Sequence, residues 1–460
     1  MASIVKRKTK YSVVYNYIDS KGEKRQRWET CDSHKEALKR KAQVEYQLNE
    51  GTFIPPTEQT VREFLADFVS LYGERQWSVS TYDGNLALIN NYINPLIGDE
   101  LVQDITPRSA DKFYKELEKT KSVVKNNQQP KSEFVTPRTI EKIHKLLACA
   151  FGQAVRWEIV AKNPFALAVV PKATYQKRDI WTAEMIRKAL INCRDSKLYI
   201  AMNLAFACSL RVGEILGLTW DNVHISEDEI ATDDAYVYID KELERASKSA
   251  IDALGKKNIF HIFPPVLGSN ASTRLVLKTP KTESSVRKVW LPKTVAYILS
   301  EWKKSQAELK EFLGKDYQDN NLVITLQNGR PCENRILHKE FEALKREVDL
   351  PNVVFHSLRH SSTTYKLKLN HGDLKATQGD TGHAQIDMIT DVYSHILDED
   401  RKVNAQKFEA AFYSNPDLRN VKPPTESSTG LDLQTLLTEL QRNPELAATL
   451  AQILSAQNTT

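Results

Sequence analysis

The spacing of hydrophobic and polar positions changes along the chain. Over residues 4–30 it alternates, as in strands, with Tyr11, Val13, Tyr15 and Tyr17 on one face. A turn at 19–22 leads to a return strand carrying Arg25, Arg27 and Trp28. Ser33 and Glu36 then have capping-box spacing, which predicts a helix to about residue 48. From residue 60 the period lengthens to that of helices. Thr60 and Glu63 make a second box before an apolar stripe of Phe64, Leu65, Phe68 and Leu71. Further helices are predicted at 80–92, 109–117 and 138–158, with a break at 93–98 and a polar, mobile loop at 119–131. Linkers are expected at 51–59, which holds Pro55 and Pro56, and at 171–181.

From residue 182 the pattern is mixed. Helices are predicted at 183–193 and 197–207, followed by a turn into a short helix bearing Arg211 and Glu214. One strand is expected at 235–245, and 246–273 reads as an irregular inserted loop. Strands at 274–277 and 286–291 flank a turn that contains Lys278 and Lys281. Helices follow at 294–314, 333–348 and 357–369, the last stopped by Gly372. Asp373 can cap the next helix, Gly382 ends it, and others are predicted at 385–395 and 400–412. Residues 413–430 form a linker rich in Pro, Ser and Thr, and 431–460 an amphipathic tail interrupted near Pro444. The expected fold class is multidomain and mainly α with small β-sheets. It comprises a sheet-plus-helix unit at 1–50, a helical unit at 60–170 and an α+β unit at 182–412.

Composition refines this picture modestly. A chain of 460 residues implies two to four domains, and 41% hydrophobic with 27% charged residues is ordinary for a globular protein. The net charge of +5 is mild. Residues 1–50, however, hold twelve Lys/Arg against seven Asp/Glu, a surplus as large as the whole chain's. The five cysteines are scattered without a CxxC pair, which suits a reducing compartment and a cytoplasmic location. No apolar run reaches membrane-spanning length, and the N-terminus lacks the apolar core of a secretory signal.

Chemistry concentrates after residue 354. His356 and Arg359 share a face at a predicted helix N-terminus, where unpaired N–H groups suit an anion. A guanidinium, imidazoles and a phenol near one anion site suggest phosphoryl chemistry. Taken singly, each residue is better read as part of an ordinary helical core with satisfied histidines. Arg25, Arg27 and Trp28 suit contact with DNA, although the neighbouring tyrosines also serve as the small sheet's core. Arg138, Lys142 and Lys145 on related helix faces are available to phosphate, or they form a solvated face. His356 and His360 stand at i and i+4, with His383 as a third ligand in a metal-hydrolase reading. No Glu follows His356 as a zinc-peptidase motif requires, and Arg359 between two ligands would repel a cation, so no metal site is assigned.

Arg211 in LRVGE, Lys281 in PKTESSVRKVWLP, His356 and Arg359 in HSLRH, His383 after Gly382, and Tyr393 occur in one order. In this the sequence resembles the tyrosine recombinases, the phage-integrase family, over 60–412. Residues 1–50 resemble the arm-site-binding domain of some integrases. The resemblance implies DNA cleavage and rejoining through a 3′-phosphotyrosine link and a Holliday junction. Arg211 and Arg359 would hold the phosphate, Lys281 would protonate the leaving oxygen, and Tyr393 would be the nucleophile. His356 would take a proton or orient the phosphate, His383 would donate a hydrogen bond, and Glu214 would brace Arg211 or a histidine. Lys278 competes with Lys281, but the PKT-x-x-S-x-R spacing favours the latter. His360 and Tyr365 read as scaffold. Ser209 and Thr381 depart from the family pattern, in which Gly and an apolar residue are common. The implied partners are duplex DNA at core and arm sites, a homotetramer on DNA, an excisionase and a host DNA-bending protein. No cofactor and no membrane are implied. The arm-type N-terminus favours the integrase of a phage or integrative element over a Xer-like resolvase or a non-catalytic regulator on the same fold.

Overall fold

In the computed structural model the alternating N-terminal segment forms β1 (Ser3–Arg7), β2 (Lys10–Ile18) and β3 (Lys24–Cys31), an antiparallel sheet in the order β1-β2-β3. The structure describes residues 2–377 apart from 8, 20–21, 124–129, 131, 173–178, 266–270, 370–373 and 376. His383, Tyr393, the predicted helices at 385–395 and 400–412, the 413–430 linker and the 431–460 tail lie outside the described residues. Helix α1 (His34–Asn49) covers one face of the sheet, burying Val13 and Tyr15 against Ala37 and Val44. The tyrosines are therefore largely core. Ser33 caps α1 through the Glu36 N–H, but the Glu36 carboxylate reaches back to the Asp32 N–H, one residue beyond a strict box.

The helical unit begins at α2 (Val61–Phe68), where Thr60 and Glu63 form the expected reciprocal cap. It continues through α3 (Glu74–Gln76), α4 (Val79–Leu88), α5 (Asn94–Ile97), α6 (Pro107–Lys119) and α7 (Pro137–Arg156). The predicted break at 93–98 is absent. A π-helical turn at Ile89–Ile93 carries α4 into α5, and helical geometry persists to Ile97. Pro95 is accommodated because it sits in the first turn of α5, where its missing N–H is not needed.

The region after 182 contains α8 (Ala183–Asn192), α9 (Ser196–Ala207), α10 (Val212–Gly217), β4 (Val223–His224), α11 (Glu227–Ala231), β5 (Tyr236–Ile239) and β6 (Glu242–Ser247). Next come α12 (Lys248–Ala253), β7 (Ile259–Ile262), β8 (Thr273–Lys278), β9 (Arg287–Trp290), α13 (Lys293–Leu313), α14 (Asn334–Glu347) and α15 (Ser357–Leu369). The single strand expected at 235–245 is two strands in different sheets, β4-β5-β9 and β6-β8-β7. Asp240 and Lys241 make the crossing, so one alternating run feeds two sheets. The flanking strands β8 and β9 likewise do not pair with each other.

The supposed irregular loop at 246–273 holds α12 and β7. Part of it serves a core far away in sequence. Ala250, Ile251 and Leu254 are buried in the same cluster as Phe64, Ile89 and Phe151 of the helical unit. Ser247 fastens this contact, donating from its N–H to Asp83 Oδ2 at 3.0 Å and from its hydroxyl to Asp83 Oδ1 at 2.5 Å. Replacing Ile251 with Ala is expected to lower unfolding free energy by about 2–5 kcal/mol. In calorimetry it should also split off a helical-unit transition. An unchanged trace would show that α12 adds nothing to the helical core.

Candidate active site

Arg211 precedes α10 in extended backbone, where it acts as the helix's N-cap. Its N–H donates to Glu214 Oε2 at 2.9 Å, and its Nη1 donates to Glu214 Oε1 at 2.7 Å and to Ser285 Oγ at 3.1 Å. The helix is held close to β6. A Cβ on Gly217 would lie 2.7 Å from the Glu242 carbonyl carbon and the Leu243 nitrogen, so only glycine allows this approach.

Glu214 itself has no exposed side-chain surface. Arg287, on β9, grips it from the opposite side, with Nη2 at 3.1 Å from Oε2 and Nη1 at 3.2 Å from Oε1. Arg359 Nη1 is 4.0 Å from Oε2. Burial alone would push this carboxyl up. The guanidiniums of Arg287, Arg211 and Arg359 overcome that penalty and hold it below the usual carboxylate range. The structure gathers Arg211, Arg287 and Arg359 around the one carboxylate of Glu214.

Arg359 reaches this point from α15, which packs on α9. Its Nη1 donates to the Ser209 carbonyl. Ser209 has φ of +55°, a left-handed conformation that glycine adopts most easily. The Ser209 hydroxyl meets Ser362 Oγ at 2.5 Å, a contact glycine could not make. His356 lies at the N-terminal end of α15, half-buried, next to Phe355. Phe355 packs edge-on against Phe341 at 5.4 Å, and Phe341 lies 5.2 Å from the buried ring of Trp181. The His360 ring stands edge-on to that of His356 at 4.8 Å, as their i, i+4 spacing allows. Tyr365 accepts a hydrogen bond from the Ala183 N–H at 2.8 Å and stacks edge-on with Phe206.

Lys281 is exposed on the segment joining β8 to β9. It lines a cavity of about 160 Å³ together with Arg75, Trp77 and Lys257. Lys278 is buried and ion-paired with Glu242 and with Glu244 at 3.1 Å. Burial works against its charge, but these carboxylates outweigh it and raise its pKa. Lys278 is thus engaged within the fold, whereas Lys281 faces outward.

The suggested DNA-contact residues divide. The β2–β3 register pairs Arg25 with Tyr17 and Arg27 with Tyr15, on the α1 side, and Trp28 with Val14 on the open side. Arg25 is bonded to Asp19 and Glu23, and Arg27 lies 3.5 Å from Glu29. On the open side the Arg7 guanidinium covers the Trp28 ring at 4.4 Å, a pairing that the linear pattern did not reveal. Arg138, Lys142 and Lys145 do form one exposed stripe on α7, with Lys145 bonded to Glu141 at 2.7 Å. Arg287 and Ser285 were also missed, although the PKT-x-x-S-x-R spacing that singled out Lys281 contains both.

Residues 182–400 match the family described as the phage integrase family. This part of the chain belongs to that family. The match takes in Arg211, Glu214, Lys281, His356 and Arg359, and also His383 and Tyr393. The chain is similar to the ICEBs1 integrase of Bacillus subtilis strain 168, at 23% identity over 331 residues, covering 71% of this chain and 77% of that protein. It is also similar to an integrase of Saccharopolyspora erythraea, at 21% over 386 residues, covering 77% and 83%. A solved fragment of the Tn1549 transposon integrase, in complex with a circular intermediate DNA, aligns with a TM-score of 0.57 and 18% identity. It covers 76% of this chain and 99% of that one, a likeness of fold. Among the described residues, no helix of the protein is long and apolar enough to cross a membrane.

Proposed function

We propose that this protein is a site-specific DNA recombinase, the integrase of a phage or integrative element, acting as a tetramer on duplex DNA. The observation that carries the reading is the arginine platform. Arg211 and Arg359, from elements far apart in sequence, converge on buried Glu214. Arg supplies fixed, forked donors suited to the nonbridging oxygens of a phosphodiester. Charge developing there in the transition state is met by groups already in place.

The reaction runs as a transesterification. The Tyr393 Oη–phosphorus bond forms as the bond from phosphorus to the 5′-oxygen breaks. His356 takes the phenolic proton, and the Lys281 ammonium gives one to the departing 5′-oxygen. His383 donates a hydrogen bond to the phosphate. The 3′-phosphotyrosine keeps the bond energy, so reversal by another strand's 5′-hydroxyl needs no energy source. The ordered residue set, on a fold like that of the DNA-bound integrase fragment, supports DNA as substrate. The basic N-terminal sheet, with Arg7 over Trp28, supports a second DNA contact at arm sites. An excisionase and a host DNA-bending protein are the accessory partners this reading implies.

The test is covalent trapping on a nicked duplex carrying the element's end, from which the cleaved fragment diffuses away. The wild-type protein should form a denaturant-resistant protein–DNA adduct. Arg211→Ala should slow adduct formation by about 10²–10³-fold with a much smaller change in DNA affinity. Equal losses of both would leave Arg211 with DNA positioning alone, and no wild-type adduct would overturn the assignment.

A further inference from the structure

We propose that Arg287 is a positioning residue for strand cleavage, setting the Lys281 turn against the Arg211 guanidinium. Arg287 is only 8% exposed and makes two kinds of contact. Its guanidinium grips both oxygens of Glu214, at 3.1 and 3.2 Å, and its Nη1 also donates to the Ser285 carbonyl at 2.9 Å. Ser285 in turn accepts from Arg211 through its hydroxyl at 3.1 Å. The same serine closes the 282–285 turn that follows Lys281, since its N–H donates to the Thr282 carbonyl at 3.0 Å. The Thr282 and Ser285 hydroxyls also meet at 2.9 Å.

A short connected circuit results. Arg287 joins Glu214 to Ser285, Glu214 holds Arg211, and Ser285 holds both Arg211 and the Lys281 turn. Lys281 is exposed immediately before that turn, and β8 and β9 do not pair with each other to brace it. The Ser285 fastening therefore does work that a hairpin would otherwise do. A planar guanidinium suits this task because its separate N–H groups meet a carboxylate and a carbonyl together, which a lysine ammonium on a flexible stem matches poorly. Arg287 touches no reacting atom in this scheme; it acts through Lys281.

This inference rests on the recombinase reading above, and the leaving group separates the two. A 5′-bridging sulfur departs as a thiolate, whose thiol has a pKa of about 8.5, so it needs little help from a general acid. A general acid contributes about 10²–10⁴-fold with an oxygen leaving group. With the full-length protein in single turnover, Arg287→Met should slow cleavage of the ordinary 5′-oxygen duplex by about 10²-fold. On the 5′-sulfur duplex its rate should stay within a few-fold of wild type. Equal slowing on both substrates, or no slowing on either, overturns the proposal. Wild-type failure on both would instead remove the recombinase reading. If the methionine variant does not fold, Arg287→Lys, which keeps the buried charge but loses the forked geometry, carries the same comparison.

Discussion

Tyr393→Phe should bind DNA as the wild type does and form no covalent adduct. Phenylalanine keeps the ring and loses the one oxygen that becomes bonded to phosphorus, so no slower version of the same step remains. The change leaves Arg211, Glu214 and Arg359 in the chain, and DNA affinity should hold. The informative partner is Tyr365→Phe. That hydroxyl accepts a bond from the Ala183 N–H at 2.8 Å, so its loss should cost about 1 kcal/mol of stability. Adduct formation should survive in that variant. Gel mobility of the denatured complex and binding by fluorescence anisotropy decide the matter. An adduct that persists in Tyr393→Phe and disappears in Tyr365→Phe would move the nucleophile to α15.

Glu214→Gln is expected to cost more in stability than any other single change at the site. Three guanidiniums approach this carboxylate, and its side chain has no exposed surface. Removing one charge from a buried ion pair typically costs about 3–5 kcal/mol, because the partner stays buried. Whole-domain stabilities are about 5–15 kcal/mol, so partial unfolding at 37 °C is the expected outcome. The effect should depend on pH in a defined direction. The folded-state pKa of Glu214 lies below its ordinary value of 4.5. Its contribution is therefore complete above that value and is lost as pH falls toward the folded-state pKa. Denaturant titrations should show the gap between wild type and variant narrowing below pH 4.5. A constant gap would mean that the charge is not what stabilises the site.

The order of chemical groups was legible in the linear pattern, because recombinase chemistry needs particular side chains. Arg211, Lys281, His356 and Arg359 were proposed through the resemblance to the tyrosine recombinases, and the structure gathers Arg211 and Arg359 on Glu214. Helices with strong caps were equally plain: Thr60 with Glu63 and Thr136 before α7 mark true starts. Long-range pairing was not visible. Nothing local distinguishes Tyr236–Ile239 from Glu242–Ser247 as members of separate sheets, since alternation fixes faces and not partners. The 246–273 segment looked irregular because α12 is short and its three apolar residues answer to a core formed more than eighty residues earlier. The DNA-contact residues proposed on β3 were chosen by type alone. Strand parity puts Arg25 and Arg27 on one face and Trp28 on the other.

The placement of α12 bears on how such proteins can be recombined in the laboratory. An engineer exchanging the helical unit for that of a relative would cut in the linker near residue 171, where the chain passes from one unit to the next. The donor unit would then arrive without the residues that complete its own interior: Ala250, Ile251 and Leu254 would still be the recipient's. Ser247 would meet whatever replaces Asp83. A hybrid that retargets the enzyme should therefore carry residues 247–254 along with its new helical unit, as two separated pieces of one module.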